Sequence, residues 1–494
     1  MHWTKLLALG LISTAVQLGA QTNPVAITET NGQALGLGEA IDMALKKNLD
    51  VQVQRLSPII ARLDLKAATA AYYLPQPDLS LSLNHLSSTL PSGARPSGTE
   101  VEATLIPGIS GFLPSGANYR LDLGLRRSGL GAGESFSGNW GISIVQPLLR
   151  DARTDVGRAQ ILVSRKGVQS ADITLISQIM LTVFSVEQTY NLLLAAVENV
   201  KVSAKALELA ERTLSDNKLR VAAGVMAILD EKEAESQVAS SRADLLASQQ
   251  RLASQQNALK SLLTDDYRTL HEVSLVPTQT LEANPQTYDL QESWRKAFVE
   301  KPEIHLAELA LDQREINLRL NRNQLLPRLD LLASYGSVGT DDSVGDAIDR
   351  ALRNDTSSYS YGVRLRVPIG NASARDRYRV AEEQIEQQKL QLQKLKQQIM
   401  VQIDDAIKQA QTSFQRVGAT RQAREFAETA LDAEQKKLEN GKSTSFFVLQ
   451  LQQRLTSARV SEVAALVEYN NALAQLAFRE GTILERHRLD VKIK

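Results

Sequence analysis

Apolar residues recur at three- and four-residue intervals along most of the chain, and twice this period gives way to strict alternation. A helix is predicted over 37–73. It stops at Leu74-Pro75, after which Leu79, Leu81 and Leu83 alternate with polar residues. Proline removes a backbone donor and clashes with the preceding turn, so the change of period marks a corner. The same corner recurs in "NQLLPRLDLLASYG" (323–336), around Pro327. Strand alternation continues in Tyr119, Leu121, Leu123 and Leu125 against Arg120, Asp122, Gly124 and Arg126. It returns in Trp140, Ile142 and Ile144, and again in Tyr359, Tyr361, Val363, Leu365 and Val367. One face is aliphatic and aromatic; the other is polar or basic and carries Arg364 and Arg366. A half-buried antiparallel sheet has this pattern. So does a barrel wall with lipid outside and water inside.

Between the alternating regions the helical period runs unusually far. Ile385, Leu392, Leu395, Ile399, Ala406 and Ala410 form a stripe at heptad-like spacing, with Gln, Lys and Asp on the other faces. A helix of roughly 65 residues is about 100 Å long at 1.5 Å per residue, more than a compact domain needs.

The elements are arranged twice. "LGLGEAIDMALKKNLDVQVQRL" (35–56) aligns with "YDLQESWRKAFVEKPEIHLAEL" (288–309), and "LPQPDL" (74–79) with "LPRLDL" (326–331). "WGISIVQPLL" (140–149) aligns with "YGVRLRVPIG" (361–370), Pro147 over Pro368. "VAAGVMAILDEKEAESQ" (221–237) aligns with "LENGKSTSFFVLQLQQR" (438–454), Gly224 over Gly441. Four matches in one order predict an internal duplication. The first repeat covers 21–263, with helices 37–73, 148–219 and 228–263 around a β-hairpin region at 78–146. A linker follows at 264–289. The second repeat covers 290–483, with helices 290–325, 373–438 and 446–483 around a β-hairpin region at 329–367, and a tail ends the chain at 484–494. One hairpin per half gives about four strands per chain, too few to close a membrane barrel alone, so closure demands several subunits; the longer first extended region (78–146 against 329–367) suggests a larger extracellular loop or additional strand pairing. Pro75, Pro147, Pro327 and Pro368 mark the four helix–strand passages.

Composition sharpens this picture. Only 5% of residues are aromatic, and Lys plus Arg equals Asp plus Glu at 56 each, so no net charge draws the chain to nucleic acid. The absence of cysteine excludes disulfides, thiolate metal sites and a lipid-modified N-terminal cysteine. "MHWTKLLALGLISTAVQLGA" (1–20) reads as a secretory signal cleaved after Ala20, being short for a membrane anchor. No other continuous apolar span of about 20 residues is present, so a transmembrane helix is not expected in the exported chain.

Chemistry is sparse. His2, His85, His271, His305 and His487 are scattered, with no HExxH, P-loop or G-x-S-x-G elbow. "GLGAG" (129–133) lies in a Gly/Ser-rich stretch between strand-like runs and reads as a loop. No enzyme, cofactor or metal site is expected.

"LGLGEAIDMALKKNLDV", "YLPQPDLSLSL", "VQPLLRDARTDVGRAQ" and "LENGKSTSFFVLQLQQRLTSARV", in this order, resemble the TolC-family outer-membrane efflux proteins, over nearly all of 35–483. The resemblance implies a homotrimer sharing a 12-stranded outer-membrane β-barrel that continues into a long periplasmic α-helical barrel. It implies a passive exit duct of a tripartite efflux or type I secretion system, in the outer membrane of a Gram-negative-type bacterium. Substrate would come from an inner-membrane transporter of RND, ABC or MFS type through a periplasmic adaptor, the membrane fusion protein. The resemblance also places both hairpin turns at the periplasmic end, where the channel narrows. Many members carry carboxylates six and nine positions after the second turn glycine; here Phe447 and Gln450 stand there. Asp230, six positions after Gly224, matches a family aspartate. Phe447 is therefore expected to form an apolar constriction with Asp230 beside it, and Gly224, Val225, Gly441 and Lys442 to form adaptor-docking turns. Arg364 and Arg366 would face the lumen. For the whole chain the alternative is a periplasmic coiled-coil scaffold, with the arginines on a solvated sheet face; for Phe447 it is packing between helices, with Asp230 merely solvated.

Overall fold

The computed structural model describes residues 32–87, 99–130 and 133–489. The expected signal at 1–20 and the last five residues lie outside them.

The first half contains β1 (Gly32–Leu35), α1 (Leu37–Lys47), α2 (Leu49–Tyr73), β2 (Gln76–Ser87), β3 (Thr99–Phe112), β4 (Asn118–Leu130), β5 (Gly133–Pro147), α3 (Val156–Ala222) and α4 (Ile228–Leu263). A single 3-10 turn and β6 (Ser274–Pro277) connect it to the second half. There follow α5 (Leu290–Glu300), α6 (Pro302–Asn323), β7 (Arg328–Asp341), α7 (Val344–Arg353), β8 (Ser357–Arg366), α8 (Ala372–Glu439) and α9 (Ser445–Glu480). The short α10 (Ile483–Arg486) ends the described chain.

The two halves follow one plan, with differences from the pattern reading that have local causes. The expected 37–73 helix breaks at Asn48, whose extended backbone ends α1 and whose side chain accepts from the Asp50 and Val51 amides to start α2. Its counterpart breaks at Lys301, because the residue before a proline is pushed out of the helical region and Pro302 opens α6. The helix expected from 148 begins only at Val156; the intervening residues form a joint, and Asp155 caps the helix. The 264–289 linker is partly ordered, since β6 pairs in parallel with β1, and α1 and β6 both pack on α3.

The larger correction concerns the first extended region. It holds two hairpins, and among the described residues the sheet has six strands in the order β2-β3-β4-β5-β7-β8, all neighbours antiparallel. The alternating segment at 119–125 belongs to the added hairpin. Alternation reports which face a side chain occupies and says little about how many turns divide the run.

The long helices, α3 of 67 residues and α8 of 68, are each about 100 Å long. They pair with the returning α4 and α9, and α3 also packs on α9. Ile399, Ala406 and Ala410 of the expected stripe are buried, and Leu392 and Leu395 partly so. The main core surrounds the midpoint of α3, where Val183, Val186, Tyr190 and Leu193 meet Leu35, Ile41, Leu259 and Leu275. Tyr190 donates its buried hydroxyl to the Leu35 carbonyl at 2.9 Å. An 18-residue window of α3 is long and apolar enough to cross a membrane, but two-thirds of it is buried inside this protein. The C-terminal segment is also fixed: Ile483 is buried, and Glu187 of α3 accepts from Arg486 at 3.2 Å and lies 2.9 Å from His487.

Candidate functional site

Register places each sheet residue on one of two faces. Leu81, Leu105, Leu125 and Gly138 form one row, and Leu79, Pro107, Leu123 and Trp140 lie close to them on the same face. Ile142, Tyr335, Tyr359 and Tyr361 extend this apolar face across the sheet. It is largely bare: Leu81 is 70% exposed and Tyr361 82%. The opposite face is polar and laced with ion pairs. Arg120 bridges Asp122 at 2.6 Å and Asp78 at 3.0 Å, reaching from β4 across β3 to β2. Gly108 of β3 lies beneath that bridge, where a Cβ would stand 3.0 Å from Asp122 and 3.1 Å from Asp78. Arg126 pairs with Glu102 at 2.7 Å. Arg364 and Arg366 lie on the same polar face, opposite Asp330 and Arg328 respectively.

At one end the sheet meets the helices. Pro75 lies between α2 and β2, Pro147 ends β5, Pro327 precedes β7, and Pro368 lies between β8 and α8. Around the first passage Tyr72, Phe112, Asp155 and Arg158 form a clasp. The rings of Tyr72 and Phe112 stack at 4.8 Å. The Tyr72 hydroxyl donates to Asp155 Oδ2 at 2.8 Å, while Asp155 Oδ1 accepts from the Arg158 amide at 2.9 Å. Arg158 also donates to the Asp151 and Ala152 carbonyls, each at 2.9 Å, and to Pro114 in the β3–β4 turn. Gly157 leaves room for the tyrosine, since a Cβ there would fall 2.3 Å from its ring. Burial alone would push the Asp155 carboxyl up, but the Arg158 and Tyr72 hydrogen bonds outweigh it and hold the carboxyl below the usual range. Asp151, in the left-handed region at φ 66°, accepts from Gln324 and donates its amide to Asn323, joining the two halves at the same level.

At the far end of the long helices lie the two hairpin turns. Gly224 and Gly441 both have φ 71°. Each turn makes the same pair of bonds: Val225 and Lys442 amides to Arg220 and Lys437, and Gly224 and Gly441 amides to Val221 and Leu438. These are two copies of the Schellman closure, which places a glycine just past a helix. Phe446 and Phe447 stand in the first turn of α9, each about half exposed, with ring centroids 5.7 Å apart. Asn217 of α3, 1% exposed, donates to Ser445 Oγ at 2.6 Å and to the Asp230 carbonyl at 3.2 Å. Gln452 donates to Thr213 Oγ1 at 2.9 Å in a second buried bond. The tip therefore brings Asp230 and the start of α9 together through Asn217, using the aspartate's backbone. Gln450, Val225 and Lys442 are exposed at this end.

Residues 40–264 and 294–482 match the outer membrane efflux protein family. The chain belongs to that family. No curated protein matches the sequence. Among solved structures, this outer membrane efflux protein resembles the CmeC outer membrane channel of Campylobacter jejuni, at 16% identity and TM-score 0.67, over 90% of this chain and 86% of that one. The outer membrane protein VceC of Vibrio cholerae is similar at 16% identity and TM-score 0.65, over 90% and 96%. The open MtrE outer membrane channel of Neisseria gonorrhoeae is similar at 17% and 0.64, over 91% and 89%. The two segments of the family match fall one in each half of the duplicated plan.

Pattern reasoning missed the clasp and the buried amides of the tip in this efflux protein. For the clasp a signal was present: Asp155 three residues before Arg158, at the start of an apolar-periodic run, has the spacing of an N-cap. Asn217, Thr213 and Gln452 carry none, because their partners lie more than 200 residues away or on another helix.

Proposed function

We propose that this outer membrane efflux protein works as a homotrimeric, passive exit duct, receiving substrate from an inner-membrane pump through a periplasmic adaptor. The observation that carries this reading is one sheet, apolar on one face and polar on the other, whose edges β2 and β8 are unpaired among the described residues, growing from helices about 100 Å long. A lone sheet with that exposed apolar face is costly in water and suits lipid. Its unpaired edges are satisfied only by closure. The energy for export comes from the pump, so the duct needs no nucleotide or metal chemistry. In this reading the face carrying Arg364 and Arg366 lines the lumen, Phe447 forms an apolar constriction near Asp230 at the periplasmic tip, and Gln450 stands one turn further along α9. The turns at Gly224–Val225 and Gly441–Lys442 dock the adaptor. The four prolines mark the level where the helical tunnel becomes the pore.

The test is fractionation with trapping. The protein is expected in the outer membrane, requiring detergent for release and migrating as a trimer, with photo-crosslinkers at Val225 and Lys442 yielding adaptor adducts in cells. A water-soluble monomer would reject the duct and favour the scaffold. A detergent-extracted trimer without adducts would remove the docking role alone.

A further inference from the structure

The six-stranded sheet carries a consequence for the pore. We infer that three copies close an eighteen-stranded barrel, in which the β3–β4 hairpin is a full part of the wall. The inference rests on the trimeric duct reading and adds the size of the pore and the surfaces that close it.

Four observations support it. First, the hairpin is inserted in the sheet: β2 pairs with β3 from Gln76 to Ser87, and β4 pairs with β5 from Asn118 to Leu130, so β2 and β5 do not touch. A twelve-stranded wall would require both ladders to break and β2 to re-pair with β5. Second, both faces continue through the hairpin. Leu105, Ile109, Leu121 and Leu123 are apolar on the outer side, while Thr104 and Asp122 share the inner side with Arg120, which reaches Asp78 across β3. Third, the strands alternate in direction, so an even number per chain makes the seam between β8 of one copy and β2 of the next antiparallel. Fourth, the hairpin's lower turn is fastened. Arg158 donates to Pro114, Gln146 donates to Ser115, and Gly116 at φ 86° clears the Arg158 guanidinium, where a Cβ would fall at 2.5 Å.

The junction shows how the wider pore can stand on a narrower tunnel. At the proline end α2, α3, α6 and α8 lead into or out of the sheet, through β2, β5, β7 and β8. No helix continues from β3 or β4; they are joined to each other through a turn resting on the start of α3. Barrel diameter grows roughly linearly with strand number, so eighteen strands instead of twelve give a pore about one and a half times as wide and about twice the cross-section. Barrels of this size leave an open aqueous channel. The cargo the wall admits is correspondingly bulky, and selection falls to the periplasmic tip and the pump.

The chain has no cysteine, so single introduced cysteines can be spin-labelled without background. The trimer, reconstituted in lipid, is labelled separately at Leu105→Cys, Leu123→Cys and Thr104→Cys, with Ile142→Cys and Ser143→Cys of β5 as wall references. Labels at 105 and 123 are expected to match 142 in relaxation by lipid-dissolved oxygen. The label at 104 is expected to match 143 in relaxation by an aqueous nickel chelate. Electron microscopy of the same trimer is expected to resolve eighteen strands. A trimer in which 104, 105 and 123 all report water, or whose wall has twelve strands, overturns the inference and leaves the duct standing. Recovery of a soluble monomer would instead overturn the duct on which the inference rests.

Discussion

A single carboxylate fastens the sheet to the helices. Asp155 caps α3, accepts from Tyr72 at the end of α2, and orients Arg158 toward the β3–β4 turn. Its folded pKa is depressed, so its contribution to stability is present above the unfolded carboxylate value, near pH 4, and is lost as pH falls through the lower folded value. Asp155→Asn should cost about 2 kcal/mol at neutral pH, the order expected for hydrogen bonds to a charged group. In a thermal dissociation series, the wild type should lose stability below about pH 4, and the variant should lack that part of the decline. Equal slopes would remove Asp155 from this role. The same residue shows what a linear reading reaches. Its capping spacing is local and readable. Its bond to Tyr72 spans 83 positions and depends on Gly157 leaving space, which no periodicity encodes.

The element least visible in the sequence is α7. Its ten residues lie within a region read as one hairpin, too short for a helical period to stand out. Asn354 ends it in the left-handed region, and the Trp140 indole donates to the Ala351 carbonyl at 3.0 Å. The helix lies on the apolar face of the sheet because two glycines let it. A Cβ on Gly339 would fall 2.3 Å from the Ala347 carbonyl oxygen, and one on Gly138 would fall 3.1 Å from the same atom. Gly339→Ala should therefore lift α7, at a cost of about 1–3 kcal/mol for overpacking. Trypsin should then cut faster after Arg350 and Arg353. Gly345→Ala, whose Cβ would meet nothing within 4 Å, should leave the cleavage rate unchanged. If Gly339→Ala is as resistant as the parent, α7 does not depend on that close seat. The long helices were legible for the opposite reason: at 67 and 68 residues their period repeats many times, and the buried positions of α8 follow it. In α4 the buried small residues are Ala234, Ser241 and Ser248, seven apart, while Ala239 and Ala243 are exposed.

For the whole molecule, duplication was readable because four matched segments retained their order, whereas the length of the first extended region left a larger loop and additional strand pairing open, because a face pattern is blind to added turns. The tip is where the assembled duct would be narrowest. On this reading, three Phe447 rings converge, and Phe447→Ala should raise single-channel conductance in planar bilayers by removing an apolar constriction. Gln450→Ala, with no comparable bulk to remove, should change it less. Conductance equal to wild type in Phe447→Ala would place that ring between helices instead. On the same reading the Asn217–Ser445 and Gln452–Thr213 bonds, both buried, would brace the start of α9 that carries Phe447.

The seating of α7 also bears on how deep the pore rides in the bilayer. The helix lies between β7 and β8, at the end of the sheet away from the prolines, with Ala347 and Ala351 against the wall and the exposed Ile348 and Leu352 lining an apolar groove with Leu105 and Leu123. Its charged edge is internally paired, Arg350 with Asp341 and Arg353 with Asp349. An amphipathic helix settles at the boundary between acyl chains and headgroups. Three such helices around a trimer would act as a waterline. They would hold the pore against sliding along the membrane normal when the machinery below pulls on the long helices.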